Sequence, residues 1–383
     1  MKVALYYPWI YLKSGVERTI LETVKRSKHE YTIFTNHYDK KGTYHEFKNL
    51  KVLELRKIPV RRNIVSVLLA AIVILFQKID LRSFDLFMVH SEGLGDLILF
   101  RNAKIPTICY CHTPLRPVFD NEYKKLSLKK RSLLNKIYFY LFSKIFKFID
   151  RYLWQKYDLV IFNSQESLKR ARNGGLLVES TKHNVIYPGI DTKKNIPSWK
   201  FENYFLAVGR IMWTKNIELA IRAFEVFEKR HKNKNFKLII AGQVDQKSND
   251  YFQNLQKMSG KNTGINFFTN PDDKKIQSLY RNCYAFLATA FNEDFGLTII
   301  EANSYGKPVI AVNSGGFKES QINGTTGFLV NATPNNFADK MLILARNRKL
   351  TNQLGKNARE HSKLFDWNLY IKNLDGVMEE RRF

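Results

Sequence analysis

The chain has 383 residues, of which 44% are hydrophobic, and its formal net charge is +27 at pH 7. This length suits two domains of about 180 residues rather than one, and the hydrophobic content supplies a sizeable core for each. The three cysteines, Cys109, Cys111 and Cys283, are odd in number and lack the spacing of zinc ligands, which argues against a structural metal and indicates a reducing compartment.

The N-terminal segment does not have the pattern of a secretory signal peptide. A single Lys, Lys2, precedes its short apolar run, which contains a Pro, and no small-residue cleavage site follows. The longest apolar run, Ile64–Phe76, is about 13 residues and falls short of the roughly 20 that span a bilayer. We therefore expect a cytoplasmic protein.

The first half of the chain reads as alternating strands and helices. Residues 3–7 form a buried-type strand, the loop from Ser14 to Glu17 follows, and a helix is predicted near residues 19–25. Further strands are predicted at residues 31–35, 51–55, 86–89 and 107–111, and a strand followed by a turn at residues 159–164. A strand, a Gly-containing loop and a helix in this order are typical of the doubly wound α/β class.

His112 is the first candidate functional residue. It follows the predicted strand at residues 107–111, and ligand groups in open parallel sheets lie at the carboxyl ends of strands. Pro114 restricts the loop, and Arg116 and Asp120 come shortly after it. A single His at a strand end is also compatible with a purely structural role.

The positive charge is concentrated between Lys124 and Lys156, where ten basic residues accompany one acid, Asp150. Aromatic and aliphatic side chains are interleaved with the cations, a composition typical of a helix on an anionic membrane surface. A buried crossover helix with a solvated basic edge is an equal alternative. A basic surface also fits nucleic acid, although we expect no nucleic-acid partner.

The second half begins after a linker near residues 188–200. A predicted strand at residues 204–208 ends at Gly209 and Arg210, and Lys215 precedes a predicted helix at residues 217–230. Two cations beside a Gly turn and a helix N-terminus can neutralise a diphosphate, although such residues are often only solvated. Farther along, Asp272 and Asp273 could be taken for a metal-binding pair, but an N-cap role ahead of a helix is preferred.

Residues 291–330 carry the strongest pattern. Glu293 and Glu301 lie eight positions apart, and a helix predicted at residues 298–304 would leave the amides of Phe295, Gly296 and Leu297 as donors at its N-terminus. Two carboxylates beside an anion-binding turn are good acceptors for sugar hydroxyls, although a Glu at a helix end is often a solvated dipole partner. A short apolar strand, an Asn-Ser-Gly-Gly turn and Glu319 follow.

This block resembles the signature of glycosyltransferase family 4, the retaining GT-B enzymes: a Glu, seven residues, a second Glu, then Gly-x-Pro-Val and a Gly-Gly-x-x-Glu turn. The resemblance implies an α/β fold of the GT-B type, with two doubly wound Rossmann-like domains facing a cleft. The expected domains are residues 1–190 on the acceptor side and 200–365 for the nucleotide sugar. A last helix at 366–383 would cross back to the first domain.

The resemblance also implies roles for single residues. Arg210 and Lys215 match the Gly-Arg-x-x-x-x-Lys of the family and would bind the donor diphosphate. Glu301 would accept from ribose hydroxyls, and Glu293 from hydroxyls of the transferred sugar. Other implied donor contacts are the amides of Phe295 to Leu297, Gly15 in the loop where the family has Gly-Gly-x-Glu, and, near the base, Phe268 and Asn270.

The segment Cys-His-Thr-Pro-Leu-Arg around His112 resembles a subgroup that often adds mannose to surface polysaccharides, which places His112 at the catalytic position beside the donor sugar. The implied reaction is retaining transfer of a hexose, with GDP-mannose as first choice and a UDP-sugar as the alternative donor. The acceptor would be a glycan or a polyprenyl-linked glycan at the inner face of a membrane. We expect no cofactor and no metal.

Two interpretations from other classes remain. A nucleotide-sugar epimerase could use the same architecture but would need a second acid–base pair, which the sequence does not supply. A non-catalytic basic protein that binds nucleic acid would leave Glu293, Glu301, Arg210 and Lys215 unexplained.

Overall fold

The structure is a computed structural model that describes residues 1–60, 63–129, 132–231, 235–260 and 262–380, without the side chains of residues 64 and 246. Lys130 and Arg131 of the basic segment, and Arg382 at the predicted end of the last helix, lie outside the described residues. The chain divides into two compact units, one of residues 1–188 with the segment that begins at Trp367, the other Gly189–Asp366.

The first unit is built on a parallel sheet in the order β5-β3-β1-β6-β7-β8-β9, beside a two-stranded β2-β4 pair. Its strands are β1 Lys2–Tyr6, β2 Trp9–Ile10, β3 Glu30–Thr35, β4 His37–Tyr38, β5 Val52–Glu54, β6 Leu86–Ser91, β7 Thr107–Cys111, β8 Leu159–Phe162 and β9 His183–Val185. Its helices are α1 Gly15–Arg26, α2 Ile64–Phe76, α3 Leu99–Asn102, α4 Arg116–Phe119, α5 Asn121–Leu128, α6 Leu133–Trp154 and α7 Gln165–Asn173.

The central strands of this sheet are covered on both faces. Alternate residues of β6 enter different cores: Phe87 packs with Trp154 and Phe162, whereas Met88 packs with Ile20 and other residues of the opposite face. Near-continuous apolar strands are expected where helices cover both sides of a parallel sheet. The doubly wound prediction is confirmed for this unit.

The second unit is a parallel sheet in the order β12-β11-β10-β13-β14-β15. Its strands are β10 Tyr204–Val208, β11 Lys237–Gly242, β12 Ile265–Thr269, β13 Ala285–Ala288, β14 Val309–Val312 and β15 Gly327–Val330. Its helices are α8 Ile217–Arg230, α9 Asn249–Ser259, α10 Asp273–Asn282, α11 Leu297–Ser304, α12 Phe317–Ser320, α13 Pro334–Arg346 and α14 Arg348–Ser362. Numbered within the unit, this is the 3-2-1-4-5-6 order of dinucleotide-binding folds.

The last helix, α15 Trp367–Glu380, belongs to the first unit. Its apolar residues join the core beneath α1, where the Tyr370 hydroxyl lies 3.0 Å from that of Thr23. The Asp375 carboxylate accepts from Ser27 at 2.7 Å. No helix among the described residues is both long enough and apolar enough to cross a membrane.

Most predicted bounds differ from the structure by at most two residues, but two predicted elements are wrong by more. Helix α1 begins at Gly15, four residues before the predicted start, because the Ser14 side chain caps it by accepting from the Val16 amide. The basic segment forms two helices, α5 and α6, instead of one, and the Ser132 hydroxyl caps the second by accepting from Asn135. By contrast, Asp272 accepts from the Lys275 amide at 2.7 Å, which confirms its predicted N-cap role.

Candidate active site

The second unit brings its candidate residues to the edge where the strand order reverses. Gly209 and Arg210 follow β10, and the loop with Glu293 follows β13, its hydrogen-bonded neighbour. Ligands of open parallel sheets bind outside the carboxyl ends of strands at such a switch point. A pocket at this edge is lined by Gly209, Arg210, Lys215, Glu293 and Thr298, among others.

Lys215 and Glu293 form an ion pair, with Lys215 Nζ 2.6 Å from Glu293 Oε2. The side chains are 25% and 22% exposed, so each is held by the other and still reachable by a ligand. The Lys215 carbonyl accepts from the Thr289 hydroxyl at 2.8 Å, which ties this turn to the end of β13. The pairing places a carboxylate beside a cation, an arrangement that can bind a sugar hydroxyl next to a phosphate.

The loop that carries Glu293 ends in a turn that only glycine fits. Gly296 has a φ of +98°, and a Cβ there would lie 2.6 Å from the Phe317 ring. Gly296 is the N-cap of α11 and offers no side chain to the first helical amides. The predicted amides of Phe295, Gly296 and Leu297 belong to this turn. They lie at the N-terminus of α11, where an anion binds favourably.

The Gly315-Gly316 turn packs against the loop that carries Glu293. The Gly316 amide donates to the Glu293 carbonyl at 2.7 Å, and a Cβ on Gly316 would lie 2.3 Å from the Asp294 carbonyl oxygen. A side chain at Gly315 would meet the Glu293 carbonyl oxygen at 2.5 Å. The paired glycines of the motif therefore let the backbone of one loop pack directly on the other.

Glu301 lies one turn inside α11, where its Oε2 accepts from the Tyr280 hydroxyl at 2.9 Å. Tyr280 is buried, its ring is parallel to that of Tyr305, and burial raises the pKa of its hydroxyl, so it stays a donor to the carboxylate. Tyr280 thus helps to fix the orientation of the Glu301 carboxylate.

Phe268 and Asn270 are not among the residues that line this pocket. They lie at the end of β12, the edge strand, where Lys275 Nζ lies 4.4 Å from the centre of the Phe268 ring. Asn270 has a φ of +51°, and its side chain accepts from the Val244 amide at 3.2 Å. The local contacts of Asn270 are those of a turn residue.

In the first unit, Gly15 is exposed at the first position of α1, and the residues around it cap the helix. Glu17 accepts from the Leu12 amide at 3.2 Å and from the Ser14 hydroxyl, so Ser14 and Glu17 form a capping arrangement. Burial raises the pKa of Glu17 to about 7. Ser14, where the family has its first Gly, is thus engaged within the helix terminus.

His112 is 6% exposed at the end of β7, and its Nε2 lies 3.0 Å from Nδ1 of His90 on the neighbouring strand. Its backbone carbonyl accepts from the Ser167 hydroxyl at 3.0 Å. Arg170 donates to the Thr113 hydroxyl at 2.6 Å. Helix α7 therefore holds the loop that carries His112.

Sequence reasoning missed Tyr280, Thr298 and His90. Tyr280 precedes its partner Glu301 by 21 positions and His90 precedes His112 by 22, so no local pattern links them. Thr298 directly follows the predicted Phe-Gly-Leu turn, and its place in the first turn of α11 was a usable signal. No group of three or more potential metal ligands occurs in the described part of the chain.

Comparison with known proteins agrees with this fold. The model of Glycosyltransferase Family 4 matches residues 13–194, and that of Glycosyl transferases group 1 matches residues 190–361. The structure of HepE from Anabaena with UDP and glucose matches with a TM-score of 0.76 at 18% identity, covering 99% of each chain. Sucrose-phosphate synthase from Thermosynechococcus elongatus matches with a TM-score of 0.77 at 17% identity, over 99% of this chain and 98% of that one.

Among curated relatives, the alpha-1,3/1,6-mannosyltransferase ALG2 of Dictyostelium discoideum is 24% identical over 99% of this chain and 98% of that protein. The human ALG2 is 27% identical over 69% of this chain and 64% of that protein. Two parallel doubly wound units, matched by these two glycosyltransferase models, define a glycosyltransferase of the GT-B class, and the protein is therefore an enzyme. More narrowly, the chain belongs to glycosyltransferase family 4.

Proposed function

We propose that this enzyme transfers mannose from GDP-mannose, with retention of configuration, to a glycan on a lipid carrier. The observation that carries the proposal is the Lys215–Glu293 pair beside Arg210 at the switch point of the second unit. The named activity of the ALG2 relatives supports mannose as the sugar. The complex of HepE with UDP and glucose favours a UDP-sugar as the second candidate donor.

In this reaction Arg210 and Lys215 bind the diphosphate and stabilise the negative charge that builds on it as it leaves. The amides at the start of α11 bind the same group. Glu301 accepts from the ribose hydroxyls, while Glu293 and His112 contact the transferred sugar. Phe268 and Asn270 remain candidates for the base, and Gly15 for a phosphate or sugar contact.

The chemical step requires no protein nucleophile. The bond from the anomeric carbon to the phosphate oxygen breaks, and the acceptor oxygen forms its bond on the same face. The proton of the acceptor hydroxyl passes to the leaving phosphate oxygen. Because two side-chain cations neutralise the diphosphate, we expect turnover to continue in EDTA.

The test is release of GDP or UDP from a panel of nucleotide sugars by the wild type, Glu301→Ala and His112→Ala. We expect slow hydrolysis of GDP-mannose that both substitutions reduce by about 100-fold or more. Glu360→Ala, an exposed carboxylate of the same unit, is the matched control and should behave as the wild type. Turnover of UDP-sugars alone would replace the donor, and no binding of any donor would refute the site.

We further propose that the first unit binds an anionic membrane through α6. The exposed side of this helix is strongly apolar: Leu133 is 73% exposed, Leu134 68% and Phe148 77%. Asp150, the only acid of α6, is turned into the core, so the exposed side carries positive charges alone. Apolar side chains among lysines match an interface of acyl chains and anionic headgroups.

Helix α2 adds a second apolar face to the same unit. It has no charged residue, and Val65, Leu68, Leu69, Ile72 and Phe76 are exposed. Both α2 and α6 pack on the 3₁₀ turn Leu94–Ile98, so they flank one element on one side of the sheet. The exposure of α6 argues against the alternative of a buried crossover helix.

Vesicle flotation tests this surface. The wild type should float with vesicles that contain phosphatidylglycerol and only weakly with pure phosphatidylcholine, whereas Leu133→Ser/Leu134→Ser/Phe148→Ser should lose most of its binding. Leu364→Ser replaces a residue of the second unit that is 63% exposed and is the matched control. Equal flotation of the triple variant and the wild type would refute the surface.

A further inference from the structure

The buried pair of His90 and His112 carries an inference that rests on the proposed role of His112 and goes beyond it. His90 is fully buried on β6, and its ring is stacked on that of Tyr110 with centroids 5.2 Å apart. Its Nδ1 lies 3.0 Å from Nε2 of His112. One proton is shared along this line, and the surroundings decide which ring carries it.

The surroundings of the other His90 nitrogen, Nε2, determine which ring donates in the hydrogen bond between His90 and His112. Nε2 of His90 is buried and has no hydrogen-bond partner among the described residues. Burial lowers the pKa of His90 well below its ordinary value, so the ring is neutral and has a single proton. A proton on Nε2 would be a buried donor without an acceptor, whereas a proton on Nδ1 makes the bond to His112.

The geometry therefore makes His90 Nδ1 the donor and His112 Nε2 the acceptor. With Nε2 occupied as an acceptor, the neutral ring of His112 keeps its own proton on Nδ1. Adding a second proton to His112 would break this bond or force an orphaned N–H onto His90. The pair thus opposes the charged form of His112.

An uncharged ring at this position suits the chemistry of glycosyl transfer. As the phosphate leaves, positive charge develops at the anomeric carbon, and an imidazolium beside it would raise the barrier. We propose that His90 is a positioning residue that holds His112 uncharged and protonated on Nδ1 beside the transferred sugar.

The charged groups near this loop are already partnered. Asp120 accepts from Arg116 and lies 3.4 Å from Arg170, and Glu92 accepts from the Tyr7 hydroxyl at 2.9 Å. Tyr110, which contacts both rings, is neutral because burial raises its pKa well above the ordinary value. His90 is a titratable group that bonds directly to the His112 ring.

The test compares His90→Phe with His90→Asn. Phenylalanine keeps the stacking on Tyr110 but removes the donor, whereas the Asn amide can replace the Nδ1–H. For Phe we expect kcat to fall about 10- to 100-fold with little change in KM, and the acid side of the kcat–pH profile to move to higher pH. The Asn variant should largely restore both kcat and the position of the acid side of the profile. An unchanged Phe variant, or equal losses in the two variants, would overturn the proposal.

A second measurement does not depend on turnover. Nitrogen-15 NMR of the wild-type imidazoles should show His112 protonated at Nδ1 and unprotonated at Nε2, and His90→Phe should alter the Nε2 signal. A proton on Nε2 of His112 in the wild type would refute the inference even if the enzyme is active. Normal turnover by His112→Ala would instead refute the proposed role of His112 while this tautomer remained measurable.

Discussion

In the second unit, the carboxyl edge of the sheet presents Arg210, Lys215 and Glu293, all of them charged and partly exposed. In the first unit, the same edge presents Glu17, His90 and His112, all of them buried. Burial moves the pKa of Glu17 up to about 7 and that of His90 down, so both groups shift toward their uncharged forms.

This difference shows how one topology serves two kinds of ligand chemistry. Exposed charges at a strand switch point and a helix N-terminus suit a diphosphate, which brings its own charge. Neutral donors and acceptors in a buried edge suit hydroxyl groups, or a reacting carbon where added charge would be harmful. The predictions below test whether the contrast between the charged edge and the neutral edge is functional.

Removing the cation of the charged edge should have the largest effect. Lys215→Ala deletes a proposed diphosphate contact and leaves Glu293 without its 2.6 Å partner. We expect kcat/KM for nucleotide release to fall about 100- to 1,000-fold. Lys349→Ala, an exposed lysine on α14, provides the control and should be neutral.

A double-variant cycle sharpens this prediction. If the ion pair acts as one unit, Lys215→Ala/Glu293→Ala should lose little more than the worse of the single variants. Losses that simply add would mean that the two side chains act independently, and the contrast between the edges would then rest on Lys215 alone.

The neutral edge should affect the pH dependence of the free energy of unfolding. The folded-state pKa of Glu17 is raised from 4.5 to about 7, so its protonated form stabilises the fold, fully below pH 4.5 and progressively less as the pH rises through 7. Glu17→Gln mimics the protonated form. As the pH rises from 4.5 past 7, the free energy of unfolding of Glu17→Gln should increase relative to that of the wild type by up to about 3 kcal/mol.

Urea unfolding at several pH values measures this difference. Glu30→Gln, at the exposed start of β3, should track the wild type at every pH. A Glu17→Gln curve parallel to that of the wild type would mean that Glu17 is charged in the folded protein, and the first unit would then lack its neutral edge.

The elements that define the fold were predictable because their signals are local. The bounds of α8 and β7 match the predicted ranges, since the apolar period and the flanking turn residues mark both ends. The placement of Arg210 and Glu293 at one edge also followed from the sequence, because parallel strands deliver their carboxyl ends to the same side.

The features that the sequence did not predict depend on contacts between distant residues or on one side chain at a helix end. In the sequence, Ser14 only replaces a Gly of the family's loop. In the structure its hydroxyl caps α1, so the helix begins four residues before the predicted start. The bond between His90 and His112 joins positions on adjacent strands, and a single sequence contains no register information for that pair.

The turn before α11 offers a test of backbone geometry at the charged edge. Gly296 and Gly324 both have positive φ, +98° and +77°, but a Cβ at Gly296 meets the Phe317 ring whereas one at Gly324 meets nothing within 4 Å. Gly296→Ala should therefore lose about 1 to 3 kcal/mol of stability and most activity. Gly324→Ala should lose only the strain of positive φ, about 1 kcal/mol, and keep its activity. Equal activity of the two variants would separate the turn from catalysis.

The smallest expected effect concerns Tyr280, which orients Glu301 from within the core. Tyr280→Phe removes a 2.9 Å hydrogen bond to that carboxylate, and Tyr204→Phe removes a 2.7 Å bond to the Leu279 carbonyl in the same unit. Each variant should lose about 1 kcal/mol of stability, as is usual for one hydrogen bond. Only Tyr280→Phe should also raise the KM for the nucleotide sugar, by roughly 5- to 10-fold, because Glu301 is then less well oriented toward the ribose that we propose it binds. A KM that rises equally in both variants would reflect general loosening of the unit. An unchanged KM in Tyr280→Phe would mean that the remaining contacts of Glu301 orient it without the tyrosine, and the charged edge would then depend on Arg210, Lys215 and Glu293 alone.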